Sequence, residues 1–145
     1  MRVAARLTLA NLVALLLAAA VPATGAGRER VAPVLLPGTS PHTFEPTPAS
    51  VRALTGAEML FAIGHGLDDW TARPARGAGV LQVVPVDAGI ALRRANDGAR
   101  GRVDPHCWLS ASNAKVIARI EAAELARRAP GWRTEVERST RSRMP

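Results

Sequence analysis

Cysteine occurs once, at Cys107, so no intrachain disulfide can staple this chain even in an oxidising compartment. Aromatic residues are sparse: two Phe, three Trp and no Tyr among 145 residues. No basic run is interleaved with rings, as a binder of single-stranded nucleic acid requires. The formal charge of +7 does not restore a nucleic-acid reading. Arg2 and Arg6 precede an apolar run, four arginines sit in the last fifteen residues, and residues 27–130 hold thirteen Lys and Arg against ten Asp and Glu. That surplus of three is spread along the chain. Two hydrolase signatures are also missing: there is no H-E-x-x-H helix and no G-x-S-x-G elbow. Histidine is limited to His42, His65 and His106.

What is present begins with a hydrophobic content of 48% against 21% charged residues, a globular rather than a disordered balance. The length fits one domain, or part of a larger one. Some of the apolar content belongs to the start of the chain, "MRVAARLTLANLVALLLAAAVPATGA". Arginines, an apolar run from Leu7 to Val21 and then small residues form the pattern of a secretory signal peptide over residues 1–26. The alternative is a retained membrane anchor, but the run is shorter than the ~20 residues of a spanning helix. With no cysteine near the processing site, the sequence predicts an exported, periplasmic chain that is not a lipoprotein.

Further along, "VAPVLLP" (Val31 to Pro37) is a short apolar run closed by Pro-Gly and suits a buried strand. Thr47 followed by Pro48 reads as an N-cap with proline at the first helical position, opening the short helix "PASVRALT". "EMLFAIG" and "GVLQVVPV" are further strands, and "LDDWTARPA" between them is a turn of helix with Asp68 and Asp69 at its positive end. "DGARGR" is a polar loop. Ser110 or Ser112 caps the longest helix, "NAKVIARIEAAELARRA", whose Val116, Ile117, Ile120, Ala123 and Leu125 approximate one face before Pro130 stops it. Strands alternating with helices predict an α/β fold, a parallel sheet flanked by helices, over residues 27–130, with a frayed tail over 131–145. His42 and His106 then fall in loops beyond strand C-terminal ends, where open α/β sheets bind ligands.

Both of these histidines follow a proline, in "SPHTFEPTP" and "DPHCWLS". Neutral imidazole is the commonest metal ligand, and proline stiffens the backbone that presents it. Two such histidines are candidate metal ligands; the plainer reading is a pair of hydrogen-bonded turn residues.

The segments "LLPGTSPHTFEPTPASVRAL", "AEMLFAIGHGLDDW" and "DPHCWLSASNAKVIARI" come in the order and at the spacing found in the zinc/manganese ABC-transporter substrate-binding proteins, which this chain resembles over Val31 to Pro130. In that family each proline-histidine loop supplies one metal ligand, so the resemblance implies His42 and His106 as metal ligands. It implies a two-lobed fold of which this chain holds an incomplete N-terminal lobe. It also implies Zn²⁺ or Mn²⁺ as the transported ligand, delivery to an ABC permease in the inner membrane, a monomer, and no enzymatic activity. Around the pair, Asp104 either accepts the second ring N–H of a ligating histidine or caps its Asp-Pro turn. Glu45 either does the same for its neighbour or is a solvated carboxylate. His65 stands where the family pattern is Gly-x-Gly before an acidic residue, and is not expected to ligate. Cys107, next to His106, is expected to face the core, and Trp70 and Trp108 to pack.

The sequence departs from the family between the signal peptide and Val31, where a first strand and helix are expected. The second lobe, with its own ligands, is absent too. Zinc sites close with four ligands, and two are offered here. The expectation is an N-terminal lobe shortened by truncation, frameshift or gene decay. Two other functions compete: an exported remnant without a metal role, and a zinc-dependent hydrolase using the same histidines to activate water.

Overall fold

A computed structural model of the protein describes residues 19–22, 32–35, 38–95, 101–128 and 134. The chain divides into two compact units, Met1–Pro85 and Val86–Pro145. The first carries a four-stranded mixed sheet. Its strands are β1 (Ala19–Pro22), β2 (Ala32–Pro33), β3 (Ala57–Ala62) and β4 (Gln82–Pro85), in the spatial order β2-β1-β3-β4. β3 and β4 run parallel, pairing Met59 with Gln82 through Ala62 with Pro85. β1 runs antiparallel to both neighbours, with a register shift between Val21 and Pro22. The predicted strands are therefore present and the β3–β4 pairing is parallel, but the sheet is mixed. Residues from within the predicted signal segment form the strand next to β3. The rest of that segment, the start of the polar loop (residues 97–100) and the tail apart from Thr134 lie outside the described residues.

β3 is buried almost without interruption. Met59, Leu60, Phe61, Ala62 and Ile63 all fall inside, which a strand covered on both faces requires. Leu60 joins Val34, Leu54, Ala57 and Ala75 in one cluster, with Trp70, Ala78 and Val80 packed against it. Leu54 closes helix α1 (Pro48–Ala53), whose start is built as the sequence predicts. The Thr47 side chain accepts from the Ser50 N–H at 3.2 Å, while the Ser50 hydroxyl accepts from the Thr47 N–H at 2.8 Å. This reciprocal capping box, with Pro48 at the first helical position, satisfies donors that would otherwise be left bare. The helix is shorter than "PASVRALT" because Gly56 adopts φ +80° and turns the chain into β3. Between β3 and β4 lie a 3₁₀ turn (Asp69–Thr71) and helix α2 (Ala72–Gly77). Pro74 sits inside that helix without ending it, since a proline near the start of a helix displaces no intrahelical bond.

The second unit holds the bridge Arg94↔Val103, a 3₁₀ turn (Cys107–Leu109) and helix α3 (Ala111–Arg128). Ser110 directly precedes α3 and its carbonyl accepts from the Ala114 N–H at 2.8 Å. The buried face of α3 is centred on Ile117 and Glu121, whereas Ala123 is exposed. Positions four apart share a helix face and positions two apart do not, so burying Ile117 and Glu121 turns Ala123 outward. None of the described helices is long and apolar enough to cross a membrane.

Candidate functional site

His42 is the middle residue of a 3₁₀ turn, Pro41–Thr43, and is exposed. Ser40 and Phe44 flank the turn in extended conformation, and Pro41 fixes its first φ. Trp70, twenty-nine residues along the chain, grips the turn from both sides. Its indole Nε1–H donates to the Pro41 carbonyl at 3.1 Å, and its ring lies 4.5 Å from that of Phe44, tilted by 51°. Centroids at that spacing and tilt are in favourable aromatic contact.

Trp70 is held in turn by the loop that leaves β3, "IGHGLDDW". Asp68 is 1% exposed, and its carboxylate accepts from the backbone N–H groups of Ile63 (2.9 Å) and Gly64. Asp69 accepts from the Gly66 N–H at 2.9 Å. Thr71 donates its hydroxyl to the Asp68 carbonyl at 2.7 Å. Burial pushes the Asp68 carboxyl up from its ordinary value, against the pull of the two amides that bond it. The pair read as helix-start carboxylates thus turns back to tie the preceding loop, and Asp68 makes no side-chain cap. His65 is exposed at the tip of this loop with φ 56°, between two glycines that also have positive φ.

In the second unit, His106 leads into the Cys107–Leu109 turn. The Asp104 Oδ1 lies 2.7 Å from His106 Nδ1 and 3.0 Å from the His106 backbone nitrogen. A carboxylate accepting from Nδ1–H fixes the tautomer and leaves Nε2 carrying the lone pair that a metal needs. The His106 backbone N–H, followed by its ring, holds the Asp104 carboxyl below the usual aspartate value. Asp104 is placed by a short ladder in which its N–H donates to the Arg93 carbonyl at 2.7 Å and the Ala95 N–H donates to the Arg102 carbonyl at 3.0 Å. His106 thus follows a two-residue bridge rather than a strand of the main sheet, whereas His42 does follow β2 in the chain. The Trp108 ring is 5.2 Å from that of His106, tilted by 55°. Beside them a cavity of about 220 Å³ is bounded by Arg93, Asp104, His106, Ser110 and Asn113 among others. Cys107 is buried as expected, its carbonyl accepting from the Asn113 side chain at 3.1 Å.

The two candidate ligands therefore sit in different units, His42 in the first and His106 in the second. Among the described residues no group of three or more His, Cys, Asp and Glu side chains converges on one point. Glu45 is exposed on the His42 loop. Sequence reasoning missed the bracing role of Trp70. The signal was available in the repeated placement of an aromatic in both segments, Phe44 and Trp70, but nothing in the sequence pairs them. It also missed Glu121, whose only sequence signature is to fall four residues after Ile117.

Comparison with known proteins places this architecture. The family described as zinc-uptake complex component A, periplasmic (ZnuA), matches residues 16–142, and the chain belongs to that family. The manganese-binding lipoprotein MntA of Halalkalibacterium halodurans is 31% identical over 96 residues, which span 64% of this chain and 30% of MntA. The iron ABC transporter substrate-binding lipoprotein MtsA of Streptococcus pyogenes serotype M1 is 25% identical over 113 residues, 72% of this chain and 36% of MtsA. The crystal structure of ZnuA superposes with a TM-score of 0.65 at 31% identity, covering 74% of this chain and 42% of that one. A zinc-bound ZnuA deletion mutant lacking 138–173 gives 0.68 at 29% identity. The chain thus spans about a third of the length of the curated relatives it matches. MtsA and a metal-transporter relative from Lactococcus lactis are named as ABC transporter substrate-binding lipoproteins, and MntA as a manganese-binding lipoprotein.

Proposed function

We propose that this chain is the metal-capturing N-terminal lobe of an extracytoplasmic substrate-binding component of an ABC importer, with His42 and His106 ligating Zn²⁺ or Mn²⁺. The observation that carries this reading is the Asp104–His106 contact, 2.7 Å from carboxylate to Nδ1, because a carboxylate behind an imidazole is how proteins orient a metal-binding ring. The braced His42 turn supplies a second ring of the same kind on a stiff backbone. Water or donors from outside the described residues complete the coordination sphere, and the choice between zinc and manganese lies with those donors. Residues 1–26 direct export, and the chain acts as a monomer that hands its ion to the inner-membrane permease. It is a binding protein and not an enzyme, and nucleic acid is not a partner. Calorimetric titration of the full chain with Zn²⁺ and with Mn²⁺ tests this: His42→Ala and His106→Ala should each weaken binding at least tenfold. Parent-like affinity in both variants overturns the proposal.

A further inference from the structure

The metal reading assigns the imidazole of His42 a task but leaves open what holds it on aim. Its turn is exposed, only three residues long, and has no side-chain cap at Ser40. A turn of that kind is stiffened at Pro41 by the ring and elsewhere only by what it touches. The residue it touches on both sides is Trp70. The indole N–H holds the carbonyl immediately before His42, and the indole ring lies tilted against that of Phe44, two residues after it. The grip is itself anchored in the buried part of the unit. Trp70 packs against the Val34, Leu54 and Leu60 cluster, and Asp68, two residues before it, is tied by its carboxylate to the amides at the end of β3.

We infer that Trp70 is a positioning residue of the His42 ligand, transmitting the rigidity of β3 to an exposed turn through one hydrogen bond and one ring contact. This rests on the proposed metal role of His42 and deepens it. Trp70 touches no metal; it holds the backbone turn from which the imidazole projects. A hydrogen bond to a carbonyl adjoining the ligand restricts φ and ψ on that side, while the Phe44 contact restricts the exit of the turn. Together they lower the conformational freedom that ion binding would otherwise have to remove. Phe44 is a partner in this arrangement, and the bond from Nε1 is the part that a phenylalanine in place of Trp70 cannot supply.

Trp70→Phe keeps a ring against Phe44 while removing the N–H together with part of the indole's packing surface, and the His42→Ala background separates the lost bond from the lost packing. Two measurements on the full chain decide the matter. In the metal-free protein, the imidazole resonances of His42 in a ¹H–¹⁵N spectrum should shift or broaden in Trp70→Phe while those of His106 stay in place. Unmoved His42 signals overturn the inference, and loss of the dispersed methyl signals of Leu54 and Leu60 in the core of the same unit identifies a variant that has not folded, in which case Phe44→Leu, which removes the ring contact and leaves the Trp70 N–H in place, replaces it in the same comparison. In zinc titrations, Trp70→Phe should weaken binding about fivefold, the loss expected for one hydrogen bond. It should cost nothing further in the His42→Ala background. An equal loss in both backgrounds marks a merely structural role and overturns the inference. If His42→Ala itself binds like the parent, the metal reading fails, and the His42 resonances alone still decide whether Trp70 sets the turn.

Discussion

One oxygen of Asp104 accepts two hydrogen bonds from His106, one from the ring Nδ1 at 2.7 Å and one from the backbone N–H at 3.0 Å. The backbone contact fixes the carboxylate, and the fixed carboxylate then fixes the ring, so one side chain sets both the tautomer and the rotation of the imidazole. Asp104→Ala should weaken zinc binding by ~10–100-fold, the usual cost of removing the carboxylate behind a ligating histidine. Asp104→Asn, which keeps an acceptor oxygen without the charge, should lose less. Calorimetry on both variants beside the parent checks the order; equal affinity in all three excludes Asp104 from the site. Because the carboxyl sits below its ordinary value of 3.8, this contact persists as pH falls until below that value, and then breaks as the acid protonates.

Glu121 is a second carboxylate with an opposite problem. It is 8% exposed on the buried face of α3, and its Oε1 has no hydrogen-bond partner among the described residues. Burial pushes its pKa from 4.5 up to about 8. The folded form therefore binds a proton that the unfolded chain gives up in the interval between those values. Its stabilising contribution is complete below 4.5, and declines as pH rises toward 8. The penalty at neutral pH is on the order of 3 kcal/mol. Glu121→Gln should raise the melting temperature relative to the parent, by more at pH 8 than at pH 5. A difference in melting temperature that stays constant between those pH values contradicts the assignment.

The contrast between these two carboxylates shows what a sequence reveals. Thr47, Pro48 and the β3 run were legible because capping, helix initiation and strand burial are local, and each leaves a mark within a few residues. Asp104 was legible as one of two alternatives for the same reason, since it reaches only two residues along the chain. Trp70 and Pro41 meet across twenty-nine residues, and no spacing rule pairs them. Glu121 broke the polar-out expectation of its helix. Apolar periodicity names the face most residues prefer, and a single buried carboxyl shifts the face without altering the pattern much. The antiparallel β1 was missed because a segment read as an export signal was not considered as a strand. The Asp68 carboxylate was placed at a helix start by its charge, whereas the amides at the end of β3 offered it two donors.

Those two amides make Asp68 a strong candidate for the side chain whose loss most disturbs the first unit. Replacing it by alanine leaves the Ile63 and Gly64 N–H groups without their acceptor, and Ile63 is itself buried. Leaving a buried donor unpaired costs about 1–3 kcal/mol. Asp68→Ala should therefore lower stability by about 2–4 kcal/mol in urea unfolding. Asp68→Asn keeps one acceptor oxygen and should fall between. A shift below 0.5 kcal/mol, roughly the size of an ordinary surface substitution, would mean that water replaces the carboxylate at this loop.

Cys107 poses the sharpest alternative at the site itself, because a thiolate beside His106 is a chemically reasonable zinc ligand. Its surroundings argue against that use. The residue is buried, and burial, aided by the charges of Asp87 and Asp104, pushes the thiol above its ordinary value. A zinc ligand must be deprotonated, so an environment that favours the neutral thiol works against coordination. The adjacent His106 is half-buried and oriented by Asp104, so the two neighbours divide the inward and outward directions of the turn between them. Cys107→Ala should then bind zinc with the parent's affinity while losing about 1 kcal/mol of stability. A disulfide-exchange reagent at neutral pH should modify the native thiol slowly and the urea-unfolded thiol fast. Should Cys107→Ala lose tenfold or more in zinc affinity while Asp104→Ala loses nothing, the ligand in this turn is the sulfur and the imidazole beside it is structural.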